Sequence, residues 1–210
     1  MLRLVSAAVL TIVLPIQGEE RTFTVTVDGK PAGEIVLEIQ KRADGSTVAT
    51  MREKYQSDGS THVSFDFRGM ETWKESRVVR LEGIGSENGR KGGITLIAGK
   101  DAYSLKAGVK EVSIRDEVWP TTGVMPPIPD RKTLVVEAIS GDVLQAKIKK
   151  IGADSVDVAG KAITTTHYRV TAGASRWDVW YDENNCLAKR SWVRDGRTVI
   201  AHLTQIKPDQ

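Results

Sequence analysis

The chain has 210 residues, of which 40% are hydrophobic and 27% are charged, and its formal net charge is +3. These values are typical of a globular protein and exclude a disordered or collagen-like chain. A single cysteine excludes a disulfide-based fold and any zinc site built from several cysteines.

Residues 1–18 have the composition of a secretory signal peptide. Arg3 precedes an uncharged apolar run from Leu4 to Leu14, and the small residue Gly18 suits a cleavage site. An apolar helix of this length would be roughly 16 Å long, about half of a membrane span, so no stable span is predicted. No cysteine follows the run, so a lipid anchor is not expected. We predict an exported protein, periplasmic or secreted, whose residues 19–210 form one domain.

After this segment, apolar and polar residues alternate along several stretches of the chain. Period-two alternation is typical of β-strands with one buried face. The apolar positions of the clearest stretches are Phe23, Val25 and Val27; Ile35, Leu37 and Ile39; Val63, Phe65 and Phe67; Leu144, Ala146 and Ile148; and Val199, Ala201 and Leu203.

Turn residues separate these stretches. They are Asp28-Gly29, Asp44-Gly45, Asp58-Gly59, Asn88-Gly89, Ser140-Gly141-Asp142 and Asp195-Gly196. Asp-Gly and Asn-Gly favour the positive φ of tight hairpins, and strands joined by such short turns are antiparallel. No other segment has convincing helical periodicity. The sequence therefore predicts an all-β protein, a curved antiparallel sheet of about ten to twelve strands connected as hairpins.

One stretch interrupts this pattern. Four of the seven prolines lie between Trp119 and Pro129. Proline cannot donate a hydrogen bond to a sheet, so we predict a loop over residues 117–131 that divides the strands into two halves. A linker between two small domains is the alternative, but the apolar residues of the loop favour a connection within one sheet.

Several segments together resemble an uncharacterised exported bacterial family, the domain of unknown function 6134. They are Phe23–Gly33, Glu71–Trp73, Ser140–Asp142, Lys149–Gly152, Val158–Lys161, Tyr168–Val170, Asp178–Asp182 and Arg194–Arg197. The resemblance implies a strongly curved sheet, similar to the half-barrels of periplasmic lipoprotein carriers. It implies no catalytic residue.

Candidate nucleophiles and metal ligands are sparse. Cys186 would need a base such as His167 or His202 within hydrogen-bond reach, and a buried structural thiol is the favoured interpretation. These histidines and His62 lack the spacing of metal ligands, so no metal site is predicted.

Two further patterns are weak. Asp178, Asp182 and Glu183 flank aromatic residues as a glycosidase acid pair would, but we expect Asp178 and Asp182 to lie on a solvated strand face. The glycine-rich stretch from Gly83 to Gly89 departs from the dinucleotide fingerprint and precedes no helix pattern. No cofactor is predicted. Basic residues are interspersed with acids, so neither a nucleic acid nor an anionic membrane is expected as a partner.

The functional hypothesis depends on the apolar residues of the loop. Trp119, Val124, Met125 and Ile128 are predicted to close the hollow of the sheet, either as a movable lid over an apolar or lipid-like ligand or as a permanent plug. We therefore expect a non-catalytic binder or carrier in the cell envelope. The alternatives are a structural module that contacts a protein partner through an edge strand, and a hydrolase with dispersed acidic residues.

Overall fold

The computed structural model describes residues 17–59 and 61–208, and these residues contain fifteen strands and no helix. The strands are β1 (Gln17–Val27), β2 (Lys30–Lys41), β3 (Thr47–Ser57), β4 (Val63–Lys74), β5 (Arg77–Glu87), β6 (Arg90–Ala98), β7 (Tyr103–Ala107), β8 (Lys110–Ile114), β9 (Glu117–Pro120), β10 (Thr133–Val136), β11 (Val143–Val158), β12 (Lys161–Ala172), β13 (Ser175–Asp182), β14 (Leu187–Arg194) and β15 (Arg197–Pro208). Residues 1–16 of the predicted signal peptide lie outside the described residues, and its last two residues begin β1.

All fifteen strands form one sheet, in the order β8-β7-β6-β5-β4-β3-β2-β1-β15-β14-β13-β12-β11-β10-β9. The two ends of this order, β8 and β9, are consecutive in the chain and are joined by residues 115 and 116 alone. Because so short a connection holds the two edges close together, the sheet curls into a nearly closed, barrel-like form with one unsealed seam between β8 and β9. The predicted fold class is confirmed, with more strands than the ten to twelve expected.

Tight turns at the predicted positions connect neighbouring strands. Asp28-Gly29 has φ values of 49° and 78°, Asn88-Gly89 of 48° and 79°, and Asp195-Gly196 of 50° and 76°. Two successive positive φ values define the type I′ turn, whose twist matches that of the strands it joins. Local sequence therefore sets the register of these hairpins.

The proline-rich segment differs from the prediction at its start. Residues 117–120 form β9, and the connection without strand or helix covers only residues 121–132. Pro120 is tolerated because β9 is an edge strand. β9 pairs with β10 in parallel, the one exception to the antiparallel pairing of the described strands. A parallel pair needs a connection of about a dozen residues, which this segment supplies.

Inward-facing side chains form two hydrophobic clusters inside the sheet. The larger includes Phe23, Leu37, Met51, Val179 and Leu203. The smaller includes Trp73, Leu81, Leu96, Leu105 and Val136. Half-buried Met125, from the connection between β9 and β10, packs against both clusters. This connection therefore fills the interior of the sheet and links its two cores.

Candidate functional site

The four residues predicted to contact a ligand all lie in or beside the core. Trp119 and Val124 are buried, with 2% and 1% of their surface exposed, whereas Met125 and Ile128 are half-buried. Trp119 and Ile128 border a gap of about 10 Å³, hardly enough for one water molecule. Protein side chains therefore fill the space around these residues.

Arg190 fixes the start of the connection between β9 and β10. Its Nη1 donates to the carbonyl oxygens of Thr121 at 2.9 Å and Thr122 at 2.8 Å. Its Nη2 lies 2.7 Å from both carboxylate oxygens of Glu53. Both charged side chains are only 4% exposed, and a buried charge is unfavourable unless it is paired. The Glu53 carboxylate supplies the negative charge that pairs with the Arg190 guanidinium. Arg190 lies on β14 and Glu53 lies on β3, and the strands β15, β1 and β2 separate them in the sheet. Their ion pair therefore supports the loop from two distant strands.

Two more side chains donate hydrogen bonds to backbone carbonyls further along the loop. The hydroxyl of Tyr181 donates to the carbonyl of Gly123 at 2.8 Å, and Trp119 Nε1 donates to the carbonyl of Met125 at 3.0 Å. These bonds are needed because a loop buried inside a sheet has no strand partner for its backbone. The connection between β9 and β10 is thus anchored along residues 121–125.

Glu71 completes this buried polar network. Its carboxylate accepts hydrogen bonds from the hydroxyl of Thr122 and from Trp73 Nε1, the latter at 2.7 Å. Burial raises the pKa of the Glu71 carboxyl to about 7, because the two hydrogen bonds and the nearby Arg190 only partly offset the loss of water. Glu71 is therefore a titratable group inside the sheet, in contact with the loop.

A cleft of about 700 Å³ opens at one end of the sheet, beside this network. The β5–β6 and β14–β15 hairpins, the connection between β10 and β11, and the start of β13 surround it. Its aromatic and aliphatic lining consists of Trp177, Trp192, Val135, Ile139, Leu144 and Val193. None of the four predicted ligand residues lines it; the connection between β9 and β10 contributes Thr121 instead.

Arg194 contacts two of the carboxylates that line the cleft. Its Nε lies 3.1 Å from Glu87 Oε1, and its Nη2 lies 3.7 Å from Glu137 Oε1. Its guanidinium carbon is 4.4 Å from the centre of the Phe65 ring. Burial raises the pKa of Glu87, an effect that Arg194 partly opposes. Arg90, Lys91, Asp142 and Asp195 also line the cleft, so four carboxylates and three cations surround it.

The candidate catalytic residues of the sequence analysis make structural contacts instead. Cys186 is buried, burial raises the pKa of its thiol to about 12, and its Sγ lies 3.7 Å from the carbonyl of Asn184. Its neighbour Asp182 binds Arg21 at 2.5 Å. Among the described residues, no group of three or more His, Cys, Asp or Glu side chains is placed to hold a metal ion.

Asp178 is the centre of an ion cluster on the outer face of β13. It contacts His167 at 2.8 Å, Arg169 at 2.9 Å and Arg176 at 2.7 Å. Burial opposes its ionisation, but the hydrogen bonds from these three residues outweigh that effect and lower the pKa of the Asp178 carboxyl. Trp180, on the same face, stacks on His167 with ring centres 4.2 Å apart. Asp178 and Trp180 point away from the cleft, as the alternation of β13 predicts. The expectation that this face is solvated is wrong, because each residue is only 9% exposed and is covered by its ion-pair and stacking partners.

The fold and the cleft define a barrel-like β protein with an internal loop and a cleft at one end. The chain belongs to the family described as Domain of unknown function (DUF6134), which matches residues 23–204. The resemblance found in the sequence is thereby confirmed. No curated protein matches the chain.

Solved structures similar to this chain include the two that follow. A beta-barrel-like protein of Domain of Unknown Function DUF1849 from Brucella abortus has 10% sequence identity and a TM-score of 0.66, over 93% of this chain and 98% of that one. LprF from Mycobacterium bovis has 12% identity over 90% of this chain and 85% of that one, with a TM-score of 0.30. The first shares the fold; the second is too distant in structure to support an argument.

Among the described residues, no helix is long and apolar enough to cross a membrane.

Proposed function

We propose that this protein binds a small amphiphilic molecule in the cleft beside Trp177 and Trp192, without chemically transforming it. One observation carries the proposal, namely a cleft of about 700 Å³ that combines these two indoles with the charged side chain of Arg194. Small-molecule sites have volumes of about 300–1,000 Å³ and join apolar walls to a few polar groups. The signal-peptide pattern of residues 1–18 supports placing this activity in the cell envelope.

The connection between β9 and β10 acts as a fixed floor in this proposal rather than as a movable lid. Opening it would break the hydrogen bonds from Arg190 and Tyr181 to its carbonyls and the hydrogen bond from Thr122 to the buried Glu71 carboxylate. Leaving such groups unpaired costs several kcal/mol in total. Trp119, Val124, Met125 and Ile128 then support the site from below, and a ligand rests above them.

The free edges of the sheet give little support to an interaction module. β8 has five residues and β9 has four, and β9 ends in a proline. Lys110 and Glu111 place charges on the other edge. Short, charged and proline-containing edges are features that discourage pairing with another chain.

Binding of prodan, a naphthalene dye with a neutral carbonyl group, tests the proposal. We expect saturable fluorescence enhancement with the purified chain, and Trp177→Ala should weaken it at least about tenfold by removing an aromatic wall of the cleft. Trp180→Ala is the matched control, because Trp180 lies on the same strand but does not line the cleft, so its removal should leave the affinity unchanged. Circular dichroism verifies that both variants fold.

Two results would contradict the proposal. One is the absence of saturable binding, together with native mass spectra that contain only the unliganded chain. The other is an equal loss of affinity in Trp177→Ala and Trp180→Ala. Trp119→Ala and Met125→Ala test the lid interpretation separately, since a movable lid predicts lost affinity in folded variants and a fixed floor predicts mainly lost stability.

A further inference from the structure

The tips of two hairpins meet beside the cleft. Asn88 Nδ2, in the β5–β6 turn, donates to Asp195 Oδ2, in the β14–β15 turn, at 2.8 Å. Next to this hydrogen bond lies the ion pair of Glu87 and Arg194. All four residues line the cleft. We call these two contacts the bridge, and they form part of the wall of the cleft.

The bridge connects distant parts of the sheet. Strands β1 to β4 separate β15 from β5, and with neighbouring strands about 4.8 Å apart the path from β15 to β5 along the sheet is about 24 Å. The two tips nevertheless lie within hydrogen-bond distance of each other. The bridge therefore crosses this end of the curled sheet from one side to the other.

The bridge is weaker than the other contacts that hold the wall of the cleft together. Asn88 and Asp195 are exposed, and water competes with exposed polar contacts, so such contacts stabilise a structure only slightly. Elsewhere in the wall, backbone pairing joins β12, β13 and β14. The connection between β10 and β11 packs closely on β6, where a Cβ on Gly92 would lie 2.5 Å from the carbonyl oxygen of Ile139.

The apolar lining of the cleft exposes little surface in this conformation. Val135 is 1% exposed, and Ile139 and Trp192 are each 5% exposed. An apolar ligand can cover these side chains only if the cleft widens. Gly85 and Gly92 are paired directly below the β5–β6 tip, and glycine weakens a strand because it has no side chain to pack. This glycine pair is therefore a suitable hinge for the tip.

We propose that the bridge is a gate, which opens when a ligand enters or leaves the cleft and closes again over the bound ligand. This inference rests on the proposed function and deepens it. The movable element is then the pair of hairpin tips, and the connection between β9 and β10 stays in place as the floor.

Asn88→Asp opens the gate with little other change. The new carboxylate still accepts the hydrogen bond that Ser64 N donates to Asn88 Oδ1, and Asp tolerates the positive φ of this turn. It cannot donate to Asp195 and repels it. In stopped-flow fluorescence with prodan, we expect the association and dissociation rates both to rise about tenfold, the factor that the loss of one hydrogen bond provides. The affinity should change much less, because a gate acts on both rates alike.

Two further variants serve as controls. Asn88→Asp/Asp195→Asn exchanges the donor and the acceptor, so the restored hydrogen bond should return both rates to those of the unmodified chain. Asn185→Asp makes the same substitution at another turn residue with positive φ, which does not line the cleft, and should leave the rates unchanged.

A covalent link across the bridge tests the opposite change and does not depend on the folding of Asn88→Asp. Asn88→Cys/Asp195→Cys joined by bismaleimidoethane should bind and release prodan more slowly than the same variant capped with N-ethylmaleimide. The native Cys186 is buried and should not react. Mass spectrometry verifies the link.

The outcomes separate the gate from the binding site. Saturable binding whose rates do not change in either Asn88→Asp or the linked variant would overturn the gate and leave the cleft as the binding site. Faster rates that Asn88→Asp/Asp195→Asn does not restore, or a loss of affinity without faster association, would also overturn it. Absence of saturable prodan binding to the unmodified chain would overturn the proposed function itself.

Discussion

Glu71 makes the stability of this protein depend on pH in an unusual direction. An exposed glutamate has a pKa near 4.5, and burial raises that of Glu71 to about 7. Between these values the folded chain holds a proton that the unfolded chain releases. The free energy of unfolding therefore falls as pH rises from about 4.5 to 7, and above 7 the loss is complete. The difference corresponds to about 3 kcal/mol at about 1.4 kcal/mol per pH unit.

Glu71→Gln isolates this effect. The neutral amide retains the two contacts, because its oxygen accepts from Trp73 and its nitrogen donates to the hydroxyl of Thr122. Relative to the unmodified chain, the variant should gain stability with rising pH, by about 3 kcal/mol between pH 4.5 and pH 8. Other carboxyls titrate equally in both proteins and cancel in the comparison.

Urea unfolding at a series of pH values, followed by tryptophan fluorescence, measures this difference. Glu82→Gln is the matched control, since Glu82 pairs with Arg80 at the surface, where its side chain is 41% exposed. Its curve should run parallel to that of the unmodified chain. A parallel curve for Glu71→Gln as well would refute the reasoning, because it would mean that Glu71 releases its proton at the same pH in both states.

Two further predictions follow from buried groups. Glu53→Ala leaves the charge of Arg190 uncompensated and should lower the unfolding free energy by about 3–5 kcal/mol in urea titrations, whereas Lys54→Ala on the outer face should change it by less than about 0.5 kcal/mol. Burial raises the pKa of the Cys186 thiol to about 12. The thiol should therefore react with iodoacetamide at pH 8 only as fast as the chain unfolds. Mass spectrometry of the alkylated chain would detect faster labelling if the thiol were accessible.

Local sequence was sufficient to predict the hairpins, because the information lies within a few residues. The alternation from Phe23 to Val27, followed by Asp28-Gly29, predicted both the face that β1 buries and the turn that leads to β2. The closure of the sheet depends on which strands become neighbours at long range. No local pattern indicated that β1 would pair with β15, a pairing that brings the two halves of the sheet together.

The glycine-rich stretch illustrates a pattern whose meaning depends on tertiary packing. Gly83 and Gly69 are paired on β5 and β4, and a Cβ at either position would lie 2.6 Å from the Phe67 ring. These glycines therefore leave space for an inward aromatic side chain, and the rejection of a dinucleotide site agrees with this packing. The sequence contains the glycines, but only the fold shows which ring they accommodate.

The buried charges were missed because a charged residue on a strand normally faces water. Glu53 stands between Met51 and Tyr55 in the inward register of β3, and Arg190 precedes Trp192 in the inward register of β14. That register was a usable signal, since apolar neighbours two residues away share the same face. The pairing of Glu53 with Arg190, 137 residues apart, was not predictable from either strand alone.

The same charges explain why the candidate ligand site lies above the internal loop rather than beneath it. The carbonyls of residues 121, 122, 123 and 125 accept hydrogen bonds from side chains rather than from a strand backbone, and Arg190 supplies two of these bonds. A guanidinium in that position in turn requires Glu53. With the loop and its counter-charge in the centre of the sheet, the candidate cleft lies beside Trp177 at the end of the sheet.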